Sequence, residues 1–124
     1  MDPANVVKTL LKLDLKDGRK WQASHTIDDA AISPRPQVKE FGCGLKDGEV
    51  WFRFLLAESG NDVDLRGTYS FKNVKERITI NTREVDADDV VIGHRFLGPK
   101  LRGVIEFKFA LDGKNHHYRF AATL

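Results

Sequence analysis

The chain has 124 residues, 41% of them hydrophobic and 31% charged, which suits one globular domain over residues 1–124 with a single core. Its 20 basic and 18 acidic residues give a formal charge of +2, which argues against nucleic acid because that partner needs a concentrated basic stripe. No apolar run approaches the roughly 20 residues that span a bilayer, and the single cysteine, Cys43, excludes an intrachain disulfide. We therefore expect a cytoplasmic protein that binds neither nucleic acid nor membranes.

The chain begins with an ambiguous segment and a predicted hairpin. Asp2-Pro3 is typical of a helix start, so residues 2–8 are either a short helical turn or the approach to a strand. Residues 9–16 have an apolar residue at every second position, which favours a half-buried strand, with a helix as the alternative. Asp17-Gly18 then predicts a tight turn, because glycine accepts a positive φ, and residues 21–27 return as the next strand.

The Asp-Gly turn signal recurs at Asp47-Gly48 and at Asp112-Gly113, so the sequence predicts a protein built from hairpins. The first two copies share the longer motif Leu-Lys-Asp-Gly-x-x-Trp, which ends at Trp21 and at Trp51. The flanking segments differ, and Phe41–Gly44 is not expected to form a strand. We interpret the repeat as the same type of turn formed at two places, and not as an internal duplication. Trp21 is expected in the core, and Trp51 is a candidate binding residue.

The middle of the chain contains one irregular stretch and then regular strands. Residues 28–40 are expected to be irregular, because Pro34 and Pro36 favour extended, unpaired backbone. Residues 50–56 are apolar on nearly both faces and predict a central strand. Residues 77–82 have the profile of an exterior or edge strand, and Gly93 is a candidate bulge. Alternation predicts further strands at residues 63–71, 90–96, 101–111 and 118–124.

Eight or nine strands with almost no helix predict an all-β, antiparallel fold. So many twisted strands in a short chain must fold onto themselves. We expect a jelly-roll-like β-sandwich built from hairpins. The alternative is a small closed or partly closed antiparallel β-barrel.

No combination of residues predicts catalysis or a cofactor. The nucleophile elbow Gly-x-Ser-x-Gly and the glycine-rich phosphate loops are absent, and no two histidines have the i, i+2 spacing of a strand-borne metal site. We therefore expect a protein that is not an enzyme and holds no metal. Calcium binding is left open at four acidic turn residues, which are Asp62, Asp64, Asp86 and Asp88.

Two functions remain open. The first is a protein-interaction or assembly module that docks a partner protein or a second copy through a strand edge or the Pro34–Pro36 loop. Basic, outward-facing residues would contact that partner: Arg35, Arg102, Lys108, His117 and Arg119. The second is a small-ligand or carbohydrate-binding protein with an aromatic concave face or barrel lumen. Its candidate residues are Trp51, Arg53 on the same strand face, Tyr69 and Tyr118.

Overall fold

The computed structural model describes residues 21–46, 48–70, 75–97 and 100–123, without the side chains of residues 46, 88–97, 100–103 and 123. The predictions for residues 2–8, for a strand at 9–16 and for the Asp17-Gly18 turn lie outside the described residues. The described chain contains nine strands: β1 (Trp21–Ile27), β2 (Ala30–Ala31), β3 (Gln37–Lys46), β4 (Glu49–Glu58), β5 (Asn61–Ser70), β6 (Lys75–Ile80), β7 (Arg83–Leu97), β8 (Lys100–Leu111) and β9 (Lys114–Thr123).

The strands form one antiparallel sheet in the order β2-β1-β9-β8-β7-β6-β5-β4-β3. Strands β3 to β9 follow one another as a meander, and β1 pairs with the far side of β9. The sheet curls into a half-barrel, so that the rings of Trp21 on β1 and Phe41 on β3 lie 4.6 Å apart between centroids. The all-β antiparallel prediction is confirmed. The structure supports the partly closed barrel, and the two separate sheets of a sandwich are not confirmed.

Tight two-residue turns connect many of these strands. Both residues of each such turn have positive φ, the pattern of type I′ turns, whose twist matches that of the flanking strands. Asp112-Gly113 confirms the predicted turn, and Gly48 of the second Asp-Gly pair has a φ of 77°. The other described turns of this kind are Asp28-Asp29, Ser59-Gly60 and Asn81-Thr82.

Aromatic rings fill the concave side of the half-barrel. Phe54 and Phe120 stack with centroids 3.7 Å apart, and Phe107 meets each of them edge-on at 6.0 Å. Trp21 is buried and packs against Phe54, which confirms its placement in the core. Burial of each of these phenylalanines contributes roughly 2–3 kcal/mol to stability. These rings therefore pack the centre of the concave face, while a recess of about 530 Å³ is lined by Trp21, Ala23 and Val38 among others. The lumen version of the ligand-binding hypothesis stays a prediction.

Strand β3 corrects the expectation that Phe41–Gly44 forms no strand. Phe41 and Cys43 lie on the concave side, while Gly42 and Gly44 lie under the indole of Trp51 on β4. The indole supplies the cross-strand packing that the missing glycine side chains cannot provide. The two glycines by themselves argue against a strand, because the side chain that packs on them belongs to the neighbouring strand β4.

Four further predictions are wrong in detail. Strand β6, which the sequence predicts as an edge strand, lies between β5 and β7 and buries Ile78 completely. The bulge in β7 falls between Ala87 and Asp89 instead of at Gly93. Strand β4 is buried on one face only, since Trp51 on the other face is 42% exposed. Each strand of a single curled sheet has a convex face toward solvent, which the sequence pattern did not reveal.

The stretch 28–40 is also more regular than expected, because it contains β2 and the start of β3.

Candidate functional site

Trp51 forms a flat, exposed aromatic surface on the convex face of the sheet. It lies opposite Gly44 on β3 and opposite Thr68 on β5. A Cβ atom on Gly44 would stand 2.5 Å from the indole Cε2, and one on Gly42 would stand 3.4 Å from Cζ3. The two ends of the ring therefore rest on two glycines of one strand, and the ring lies flat on the sheet. We call Trp51 on these two glycines the indole platform.

Two arginines beside the indole platform share one carboxylate. Arg53 follows Trp51 on the same face of β4, and Arg66 on β5 lies directly opposite Arg53. Asp64 Oδ1 accepts hydrogen bonds from Nε of Arg53 at 3.1 Å and of Arg66 at 3.3 Å. Asp64 Oδ2 accepts from the two Nη2 atoms at 3.4 and 3.1 Å, respectively. These paired contacts hold both guanidinium groups in fixed orientations.

The arginine–aspartate group carries a net positive charge. Desolvation raises the pKa of Asp64, but hydrogen bonds and charge from Arg66 and Arg53 outweigh it and lower that pKa below its usual value. The hydrogen bond to Asp64 also raises the pKa of Arg66. Asp64 and Arg66 are therefore ionised at neutral pH. The side chains of Arg53 and Arg66 are 38% and 55% exposed, so solvent and a ligand can reach both.

A shallow recess of about 180 Å³ lies between the indole and the two arginines. Pockets that enclose drug-sized ligands have volumes of about 300–1,000 Å³. The recess therefore suits a single ring that lies on the indole better than an enclosed ligand. Its walls are Trp51, Phe52, Arg53, Arg66, Gly67 and Thr68.

The structure divides the four predicted ligand-binding residues between two faces of the sheet. Trp51 and Arg53 lie together on the convex face, as their spacing predicted. Tyr69 pairs with the buried Val50, so it lies half-buried on the concave side. Tyr118 is 1% exposed and belongs to the core. The four residues therefore do not form one surface. Arg66, which the sequence did not indicate, lies beside Trp51 and Arg53 on the convex face, and the two tyrosines do not.

The predicted partner-binding residues are also dispersed. Glu106 Oε1 accepts a hydrogen bond from His117 Nε2 at 2.9 Å and lies 3.9 Å from Arg119 Nε, so Glu106 compensates part of the charge of Arg119. Arg35 is exposed in the connection between β2 and β3, and the Arg102 side chain lies outside the described residues. The role of these residues in partner binding stays a prediction. Three of the five share the convex face of β8 and β9: Lys108, His117 and Arg119.

A buried polar cluster, which the sequence did not reveal, joins β1, β4 and β9. His25 Nδ1 lies 2.9 Å from Glu58 Oε2, and the Tyr118 hydroxyl donates to Glu58 Oε1 at 3.0 Å. His25 Nε2 lies 2.9 Å from His116 Nδ1, and the His25 ring stacks on Tyr118. His25 on the apolar face of β1 was the signal in the sequence, because a buried imidazole needs partners. Those partners depend on the pairing of β1 with β9, which local pattern does not reveal.

The electrostatics of this cluster favour a structural role. Desolvation raises the pKa of Glu58, but the hydrogen bond and charge of His25, with the Tyr118 hydroxyl, bring it below the usual value. Desolvation lowers the pKa of His116, and burial together with Glu58 raises that of Tyr118. His25 is only 4% exposed, so a substrate would have little access to the cluster. The cluster ties three strands together at one end of the half-barrel.

Two of the four acidic residues left open as calcium ligands have other partners. Asp62 forms an ion pair with Lys39 at 3.1 Å, and Asp64 holds the two arginines. Asp86 is exposed, and the side chain of Asp88 lies outside the described residues. Within the described ranges, no group of three or more His, Cys, Asp or Glu residues could hold a metal ion.

No protein-family model, curated protein sequence or solved structure matches this chain. In the part of the chain that the structure describes, no helix has the length and apolar character needed to cross a membrane.

Proposed function

We propose that this chain is a non-catalytic binding module that holds a saccharide ring on the indole platform. The observation that carries the proposal is the flat placement of Trp51 over Gly42 and Gly44. One face of the indole packs on backbone, and the residue is still 42% exposed. Because the sheet already orients the ring, a ligand that stacks on it loses little additional side-chain entropy on the protein side.

The surroundings of the indole favour a sugar over a large apolar partner. The C–H face of a pyranose can pack on the flat, electron-rich face of an indole. The hydroxyl groups of the sugar can accept hydrogen bonds from Arg53 and Arg66, and Thr68 lines the same recess. The small recess and its polar border match one sugar ring with its hydroxyl groups. A nucleic acid is disfavoured, because the net charge of +2 supplies no concentrated basic stripe.

Removal of the indole tests the proposal directly. The probes are cellotriose, maltotriose, chitotriose and uronate oligosaccharides, titrated calorimetrically into the full chain. Trp51→Ala should weaken binding of any saccharide that the wild type binds by about tenfold or more, comparable to the loss of a stacked base. Leu55→Ala, a half-buried residue on the same face of β4, is the control and should leave affinity unchanged.

A pair of glycine substitutions tests the flat geometry itself. Gly44→Ala would place a Cβ 2.5 Å from the indole Cε2, so the ring must lift and affinity should fall. Gly42→Ala brings only an ordinary contact at 3.4 Å and should bind as the wild type does. Equal affinities for the two variants, or binding that survives Trp51→Ala, would show that the platform is not the binding surface.

A second candidate function is assembly through the edge of β3. Within the described chain, no strand pairs with β3 on the side away from β4, and Leu45 near its end is 36% exposed. An edge of this kind can pair with another strand. Sedimentation velocity should then show a mass above 14.1 kDa that rises with concentration and that Leu45→Lys reduces. The cytoplasm remains the proposed location, based on the lone Cys43.

A further inference from the structure

We infer that the saccharide is acidic and that Arg53 and Arg66 bind the carboxylate of a uronate unit that stacks on Trp51. The inference rests on the proposed function and specifies its ligand class. It starts from the arrangement of the two guanidinium groups, which lie beside the indole in one recess.

Asp64 orients both arginines without using all their hydrogen-bond donors. Each guanidinium group has five N–H donors, and Asp64 receives only the Nε–H and one Nη2–H of each. Among the residues that the structure describes, no other acceptor bonds to Arg53 or Arg66. The remaining donors therefore stay available on an exposed surface, and their rigid fork matches a carboxylate.

The charges of the convex face favour an anion at this position. One carboxylate and two guanidinium groups leave a charge of +1 at the border of the recess. An uncharged sugar gains hydrogen bonds there, but a uronate also gains charge-assisted hydrogen bonds, which are the stronger kind. The ligand best matched to the site is therefore a ring with a flat C–H face and a carboxylate at its edge.

A second recess extends the site across β5 toward β6. It has a volume of about 190 Å³ and shares Thr68 with the first recess. Arg77 lies opposite Thr68, and both Arg77 and Lys75 are exposed, with Glu49 as the acidic residue of the lining. Strands β4 and β6 are two strand spacings apart, about 10 Å, which is roughly the length of two linked sugar units. A short oligouronate would thus place one unit on Trp51 and the next beside Arg77.

Matched ligands separate the carboxylate from the sugar ring. The probes are oligogalacturonate, oligomannuronate and a glucuronate-containing oligosaccharide, each compared with its methyl ester by calorimetry. The acid of at least one pair should bind about tenfold or more tightly than its ester, because the ester loses the charge-assisted hydrogen bonds. A higher salt concentration should weaken binding of the acid and leave the affinity of the ester nearly unchanged, since salt screens the attraction between exposed charges.

Matched variants assign the effect to the arginines. Arg66→Gln should remove most of the preference for the acid, because it weakens binding of the acid by a larger factor than binding of the ester. Arg83→Gln is the control, because Arg83 is also an exposed arginine in a carboxylate pair, with Asp112 at 3.3 Å, but lies on β7. The control should keep the full preference. Circular dichroism of both variants verifies that the sheet is intact.

The outcomes distinguish this inference from the proposed function. If the acids and esters bind equally and binding still needs Trp51, the acidic specificity is wrong and the saccharide platform stands. If the acid is preferred but Arg66→Gln keeps the preference, the carboxylate binds elsewhere and the inference is wrong. If no acid, ester or neutral saccharide binds, both proposals are wrong.

Discussion

Replacement of Gly67 by alanine tests how tightly the core of the half-barrel is packed. Gly67 lies on the concave face of β5, and Phe107 of β8 packs onto it from the other side of the core. An alanine Cβ would stand 2.9 Å from Cδ1 and 3.0 Å from Cζ of Phe107, and closer still to Cε1. To restore contacts of 3.4 Å, the ring would have to move away by about 0.5 Å at Cδ1 and by more than that at Cε1.

Phe107 has little room for that movement. It is fully buried, and it contacts the stacked pair Phe54 and Phe120 edge-on, with centroids at 6.0 Å. Overpacking of a core costs about 1–3 kcal/mol, and alanine regains about 0.5–1 kcal/mol of backbone entropy relative to glycine. We therefore expect Gly67→Ala to reduce the free energy of unfolding by about 1–2 kcal/mol. In a chain of this size, that lowers Tm by roughly 4–8 °C.

Urea denaturation followed by circular dichroism measures this change. Gly42→Ala is the control, because its Cβ would meet Trp51 at an ordinary 3.4 Å on the exposed face. Its free energy of unfolding should equal that of the wild type or exceed it by up to about 1 kcal/mol, from the same gain in backbone entropy. The double variant Gly67→Ala, Phe107→Leu should lose less free energy of unfolding than the sum of the losses of the two single variants, since the shorter side chain relieves the clash. Wild-type stability of Gly67→Ala would refute the packing argument.

Three further predictions concern the buried cluster, a strained turn and the tryptophans. In the folded chain, desolvation lowers the pKa of His116. Desolvation raises the pKa of Glu58, but hydrogen bonds and charge from its neighbours outweigh it and lower that pKa. Because both pKa values are lower in the folded chain, the unfolded chain binds more protons in acid. The free energy of unfolding should therefore decrease as pH falls below 6.5 and again below 4.5, the ordinary values, and His116→Gln should flatten the first step in a urea titration. Thr82 is a β-branched residue at a φ of 69°, so Thr82→Gly should raise the free energy of unfolding by about 1 kcal/mol. An unchanged Tm in thermal denaturation would argue against backbone strain at this turn. Iodide should quench the fluorescence of Trp51 and not that of Trp21, so equal quenching would contradict their different burial.

Local pattern predicted the strands and their inward faces where each strand alternates cleanly. In β9, alternation places Tyr118, Phe120 and Ala122 on one face of the predicted strand, and all three are buried. Asp112-Gly113 was expected to form a tight turn, and both residues have positive φ. These predictions succeed because alternation and turn geometry depend only on neighbouring residues.

Part of the candidate site was also accessible from local pattern. Trp51 and Arg53 are two residues apart on one strand, so they necessarily share a face. The contribution of Arg66 and Asp64 depends on the register between β4 and β5, which no local pattern specifies. The flat position of the indole depends on Gly44 of β3, a segment whose glycines argued against a strand.

The amino-acid sequence by itself determined an all-β chain of hairpins, because two-residue periodicity and turn residues act over a few positions. Tertiary structure alone decided that the strands form one curled sheet, that β1 pairs with β9, and that His25 meets Glu58 and His116 in the interior. It also decided that Tyr118 belongs to the core and Trp51 to the convex surface. These outcomes depend on contacts between residues far apart in the chain, whose energies arise only once the sheet has curled around its aromatic core.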